Sequence, residues 1–86
     1  MNIDYARSFD LQYKKMQQFR KLLVRDAIEL FIDDPFNKSL RNHPLKEQWV
    51  GYRSITVDND IRIHYKELKN NRILMVAVGT HEELYK

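Results

Sequence analysis

The chain has 86 residues, enough for one domain with a modest core. Its 43% hydrophobic and 12% aromatic content excludes an intrinsically disordered chain, and the absence of cysteine excludes disulfides and thiolate sites. A net charge of +3 and a pI near 9.3 favour polyanionic partners such as RNA, DNA or an acidic protein. Two glycines and two prolines leave little room for linkers. No apolar run is long enough to cross a bilayer and no signal-peptide pattern opens the chain. A cytoplasmic location agrees with the lack of cysteine.

In chain order, Ile3 and Tyr5 alternate with polar residues, which predicts a short edge strand over residues 2–6. Ser8 is a candidate helix cap, with Asp10 suited to the dipole of the first turn. Phe9, Tyr13 and Met16 fall at i, i+4 and i+7 on one helical face. A second, stronger helix follows, with Phe19, Leu22, Leu23, Ala27, Leu30 and Phe31 as a broad apolar stripe flanked by Val24, Ile28 and Ile32. The break between the helices is expected near residues 17–20. Pro35 disfavours helical geometry at Asp34 and should end the second helix there. Leu40 and Leu45 anchor an irregular connection over residues 36–50.

Residues 51–65 read as a β-hairpin. A three-residue loop of Asp58, Asn59 and Asp60 places Val57 opposite Ile61 and Ile55 opposite Ile63; a two-residue loop would place Val57 opposite Arg62. Burial of one face selects the first register. The second face then carries Tyr52, Ser54 and Thr56 beside Arg62, His64 and Lys66, and is expected to be open. Lys69-Asn70-Asn71 predicts a turn, and the apolar run from Ile73 to Val78 a strand covered on both sides, ended by Gly79. Thr80 and Glu83 have the spacing of a capping box for a last helical turn. The order β-α-α-β-β-β predicts an α+β fold, a helical hairpin on one face of a small, mostly antiparallel sheet.

Histidines occur at 43, 64 and 81 without cysteine and without HxxxH or HExxH spacing, so neither a zinc site nor any other metal is expected. There is no Gly-rich phosphate loop and no GxSxG, and no cofactor is expected. The remaining polar groups are His43, Asp60, Arg62, His81 and Tyr85, the last two on one side of a helical turn. These are parts for RNA cleavage: a base for the 2′-hydroxyl, an acid for the 5′-oxygen, and a cation for the phosphate. Several polar residues have a plainer reading. His64 fits a surface strand position, Asp60 a turn former, and Tyr85 a cap on the core. Arg53 shares the apolar side of its strand and suits the core edge. Trp49 suits a structural role, or a base-stacking one if exposed.

Together the runs Asn42-His43-Pro44-Leu45, Gly51-Tyr52-Arg53, Asp60 with Arg62-Ile63-His64-Tyr65, and Val78-Gly79-Thr80-His81-Glu82-Glu83-Leu84-Tyr85 resemble the RelE/ParE toxin superfamily, nearest the YafQ-type branch. The resemblance implies a RelE-like single domain over residues 1–86 and a type II toxin. Such a toxin enters the ribosomal A site, cuts mRNA without metal, and is held inactive by a cognate antitoxin. By position, His43 resembles the HPL histidine of the family site, Asp60 its turn aspartate, and His81 its GTH histidine. Tyr85 stands where the family has an aromatic, and Arg62 resembles a strand arginine that contacts the scissile phosphate. Lys46, Arg53 and Lys66 are candidate RNA-backbone contacts. Thr56 and Ile61 replace a histidine and a tryptophan of the YafQ pattern, and Arg62 is placed to compensate at the phosphate. The ParE branch, which inhibits DNA gyrase, shares the fold but is not expected to carry the two motif histidines. A catalytically inactive module of the same fold is the third reading.

Overall fold

A computed structural model describes residues 1–86. Strand β1 (Asn2–Tyr5) leads into α1 (Arg7–Lys14) and α2 (Gln18–Asp33), followed by β2 (His43–Pro44), β3 (Arg53–Thr56), β4 (Ile61–Leu68), β5 (Arg72–Thr80) and α3 (His81–Leu84). The five strands form one sheet in the order β1-β5-β4-β3-β2. Only β1 and β5 pair in parallel; the other three pairings are antiparallel. The expected α+β class holds, with β2 as a two-residue addition inside the predicted irregular connection.

The hairpin register is the one chosen by burial. Ile55 lies opposite Ile63 and Thr56 opposite Arg62, and Val57 N donates to Ile61 O across the loop. Asp58 Oδ1 accepts from the amides of Asp60 and Ile61 at 2.9 and 2.7 Å, an Asx turn that fixes the loop. Alternation then sends Ile55, Ile61, Ile63 and Tyr65 toward the helices, all at most 1% exposed. Phe9, Val24, Ala27, Ile28 and Phe31 meet them, and Phe31 packs edge-on against Tyr65 at 4.8 Å. Each such side chain contributes about 1.5–3 kcal/mol when fully buried, so this contact is the main stabilising layer.

Several local expectations shift. The helix break falls at residues 15–17, a few positions earlier than expected. The buried stripe of α2 is Val24, Ala27, Ile28 and Phe31, spaced i, i+3, i+4, i+7, while Phe19, Leu22 and Ile32 are about half exposed. The helix is apolar over a wider arc than the narrow sheet can cover. Ser8 does not cap α1. The N-cap is Ala6, and Ser8 Oγ donates to Val76 O instead. The cause lies in the sheet. Strand β1 ends at Tyr5, so β5 beyond Met75 has no strand on that side, and the register shift at His64/Tyr65 leaves Val76 as a bulge residue. Ser8 and Gln12, whose Oε1 accepts from Val78 N at 2.9 Å, satisfy the edge in place of a strand.

Gly79 does not end β5, which continues through it to Thr80. A Cβ at Gly79 would lie 2.9 Å from Glu83 Oε1 and 3.6 Å from Leu84, so the glycine admits α3 onto the sheet. The predicted capping box is present: Thr80 Oγ1 accepts from Glu83 N, and Glu83 Oε1 accepts from Thr80 N. No helix is long and apolar enough to cross a membrane.

Candidate active site

The second face of the sheet is not open, which corrects the reading of His64 as a surface residue. His64 is 1% exposed and its strand partner Ser54 is 2% exposed. Trp49, from the 3-10 turn Glu47–Trp49, lies edge-on against the imidazole at 4.4 Å, and Tyr85 packs on it at 5.7 Å. Trp49 Nε1 donates to Leu84 O at 3.1 Å, tying this turn to α3. Tyr52 also packs edge-on against Trp49, at 5.2 Å. A lid of aromatic rings therefore covers the middle of the face. Burial, reinforced by the nearby His43 and His81, lowers the His64 pKa to about 4. His64 is consequently neutral near pH 7, and its buried Nδ1 has no hydrogen-bond partner.

The expected site residues lie around this lid. His43 shares a sheet rung with Ser54, and through it with His64. His43 is exposed, and its Nδ1 lies 2.8 Å from Arg41 O. A carbonyl can only accept, so Nδ1 carries the proton and Nε2 keeps the lone pair in the neutral ring. His43 is thus set as a base at Nε2. Arg41 reaches this position in the left-handed conformation, at φ 48° and ψ 44°.

Asn42, beside them, is a hub. Its Nδ2 donates to Pro35 O and Tyr65 Oη at 2.9 and 2.8 Å, and its Oδ1 accepts from Arg53 Nε at 2.8 Å. Burial raises the Tyr65 pKa, so the phenol stays protonated. The Arg53 guanidinium also lies over the Phe36 ring at 5.4 Å, the core-edge placement that its strand position allowed. Asn42→Ala is expected to destabilise the fold by about 1–3 kcal/mol, since it strands the partly buried Arg53 and Tyr65 groups. Urea denaturation measures this, and an unchanged midpoint would remove Asn42 as the hub.

Arg62 stands between Thr56 and Gly79 on the lidded face. Its Nη1 donates to Asp58 O at 2.7 Å and Ile61 O at 3.1 Å, which anchors the guanidinium while Nη2 and Nε stay available for an oxyanion. His81, the first residue of α3, is exposed and stacks on Tyr85 with centroids 4.4 Å apart and planes at 23°. Thr80 pairs with Ile61, so His81 leaves the sheet at the level of Asp60. Asp60 is exposed on its turn, where Arg20 Nη2 approaches at 4.0 Å; it makes no hydrogen bond to a histidine. Lys66 lies over the Tyr52 ring at 5.5 Å and Lys46 is exposed before the Trp49 turn. No group of three or more His, Cys, Asp or Glu side chains comes together as a metal-binding set.

Three residues escaped the sequence reading. Lys38 and Arg41 sit on and just after the 3-10 turn Lys38–Leu40, where no period dictates direction, yet they line a cleft with Thr56 and Arg62. Asn42 carried no signal beyond its place before His43.

The profile described as "Bacterial toxin of type II toxin-antitoxin system, YafQ" matches residues 1–86. The mRNA interferase toxin YafQ of Escherichia coli (strain B / BL21-DE3) is 28% identical over 88 residues, covering 98% of this chain and 95% of that protein. The crystal structure of YafQ from E. coli BL21(DE3) superposes with a TM-score of 0.82 at 27% identity, covering 99% of this chain and 98% of that one. YafQ in the E. coli DinJ–YafQ toxin–antitoxin complex gives 0.79 at 26% identity, covering 99% and 97%. A YoeB/ParE toxin from Agrobacterium tumefaciens, 20% identical with a TM-score of 0.76 and 94% and 99% covered, shares the fold. With a match over its whole length and the fold to go with it, the chain belongs to the YafQ family of bacterial type II toxin–antitoxin toxins.

Proposed function

We propose that this toxin is a ribosome-dependent mRNA endoribonuclease of the cytoplasm, held inactive by a cognate antitoxin. The E. coli relative is an mRNA interferase, and E. coli YafQ is solved in complex with the antitoxin DinJ. One observation carries the chemistry: His43 with its lone pair at Nε2, the His81–Tyr85 stack, and Arg62 with free donors surround one face of the sheet.

In the proposed reaction His43 Nε2 takes the proton of the 2′-hydroxyl. The 2′-oxygen attacks phosphorus, and the bond to the 5′-oxygen breaks. His81 supplies the proton that the leaving 5′-oxygen takes up. The products are a 2′,3′-cyclic phosphate and a 5′-hydroxyl. Arg62 holds the charge on the phosphate oxygens, standing in for the missing imidazole at Thr56. Tyr85 positions the nucleotide beside His81, and Asp60 adds a carboxylate at the His81 end. Lys46 and Lys66 are backbone contacts; Arg53, strand partner of the core-facing Tyr65 and bonded to Asn42, is turned to the core edge instead.

Induced expression followed by primer extension on a cellular mRNA tests this reading. Codon-phased cuts that disappear in His81→Ala are the expected result. Growth arrest with intact mRNA and induced DNA damage would instead identify a gyrase inhibitor. No arrest at all would identify an inactive module.

A further inference from the structure

We propose that the cleft between the Lys38–Leu40 turn and the β3–β4 turn is a second phosphate site, with Lys38 and Arg41 gripping the RNA backbone next to the bond that is cut. This rests on the ribonuclease reading above. The cleft has a volume of about 630 Å³, and only one of its eight lining residues is hydrophobic. It therefore does not suit an apolar ligand, while its size lies within the ~300–1,000 Å³ of small-ligand pockets. Lys38, Arg41 and Arg62 line it against a single carboxylate, Asp58. Asp58 Oδ1 is already occupied by two amides of its own turn. The two ion pairs of the protein, Arg20–Asp60 and Arg72–Asp4, involve none of the three cations. Their charge is uncompensated and their donors are largely free, the condition for binding an oxyanion.

Two features join the cleft to the reacting centre. Arg62 and Thr56 belong to both, so a phosphate on Lys38 and Arg41 continues a strand whose scissile phosphate lies at Arg62. Arg41 also holds His43 through its carbonyl, at 2.8 Å, while the residue itself lines the cleft. Its left-handed backbone disfavours an ordinary residue, so glycine or asparagine would be easier there. Arg41 thus serves two places with one residue, lining the cleft and setting its carbonyl on the base histidine. A phosphodiester strand fits better than an acidic protein segment, because the cleft runs directly into the site of phosphate chemistry.

The test is cleavage kinetics of purified toxin on ribosomes programmed with a defined mRNA. The double variant Lys38→Ala/Arg41→Ala should raise KM about tenfold with kcat within about twofold, and flatten the log–log salt dependence by about 1.4, two single-strand contacts at ~0.7 each. A control pair far from the cleft, Lys14→Ala/Lys69→Ala, removes equal charge and should match wild type. Equal KM and salt slope in the two double variants would overturn the proposal. So would an unchanged KM with lost neutralisation by the co-expressed antitoxin, which would assign the cleft to an acidic protein segment. Should wild type cut no mRNA, the ribonuclease reading fails by that result. The cleft is then read separately, by fluorescence anisotropy of labelled oligouridylate. Tenfold weaker binding by the Lys38/Arg41 variant than by the control supports it, and equal binding overturns it.

Discussion

Replacing His81 with alanine is expected to lower kcat for mRNA cleavage by about 10²–10⁴-fold, the usual contribution of a positioned acid or base. The loss should fall on kcat and on kcat/KM alike, with little change in KM, because proton donation to the leaving oxygen happens only in the transition state. His81 is exposed and its side chain makes no hydrogen bond in the fold; its one close partner is the Tyr85 ring at 4.4 Å. The capping box that starts α3 runs through Thr80 and Glu83 and does not use the imidazole. Stability should therefore change by no more than about 0.5 kcal/mol, as for other surface substitutions. The pH–rate profile separates the roles further. His81→Ala should lose the limb on which activity falls as the acid gives up its proton, and keep the limb that belongs to the base. Tyr85→Phe preserves the stack and removes only the hydroxyl. Activity near wild type in that variant means the ring positions the nucleotide; a loss comparable to His81→Ala means the hydroxyl takes part in proton transfer. Full cleavage by His81→Ala would end its assignment as the acid.

The fold was legible where a single period controlled the outcome. In the hairpin, one face had to be buried, and only one loop length brought Ile55 and Val57 opposite isoleucines. The capping box was legible because Thr80 and Glu83 act locally. Predictions drifted where tertiary contacts overrode local chemistry. Ser8 has the right type for a cap, but the unpaired carbonyl of Val76 is the stronger claimant on its hydroxyl. Gly79 looks like a strand breaker, but its missing side chain is what lets Glu83 and Leu84 approach β5. The second face of the sheet was misread for a related reason. Alternation marks Ser54 and His64 as polar positions, and polar positions usually face water. Trp49 and Tyr85, from two turns outside the hairpin, cover them instead. Motif residues such as His43 and His81 could be named from sequence. The carbonyl that orients His43 could not, because it depends on the left-handed turn at Arg41.

That hidden histidine leads to the second large effect, loss of stability in acid. His64 titrates at about 4 in the folded protein, against 6.5 for an ordinary histidine, with burial as the main cause and the neighbouring His43 and His81 adding to it. Above pH 6.5 the residue is neutral in both folded and unfolded chains, and its contribution is constant. Between pH 6.5 and 4 the unfolded chain takes up a proton that the native state refuses, so stability falls with pH. Below about pH 4 both states are protonated and the fall stops. At 1.36 kcal/mol per unit, the total is roughly 3 kcal/mol, a large part of the 5–15 kcal/mol typical of a domain. Carboxylates also titrate in this range, so the comparison with a variant isolates the histidine. His64→Leu keeps an apolar filling beneath Trp49 and Tyr85 and removes the unpaired Nδ1, so at pH 7.5 it should match or exceed wild type. Urea denaturation should then show the variant gaining roughly 3 kcal/mol on wild type as the pH falls from 7.5 to 4. A difference that stays constant over this range would show that His64 titrates normally and is not sealed by the aromatic lid. The same burial serves the proposed chemistry: a neutral, sealed His64 adds no charge beside His43 and His81 and does not compete with them for the protons of the RNA.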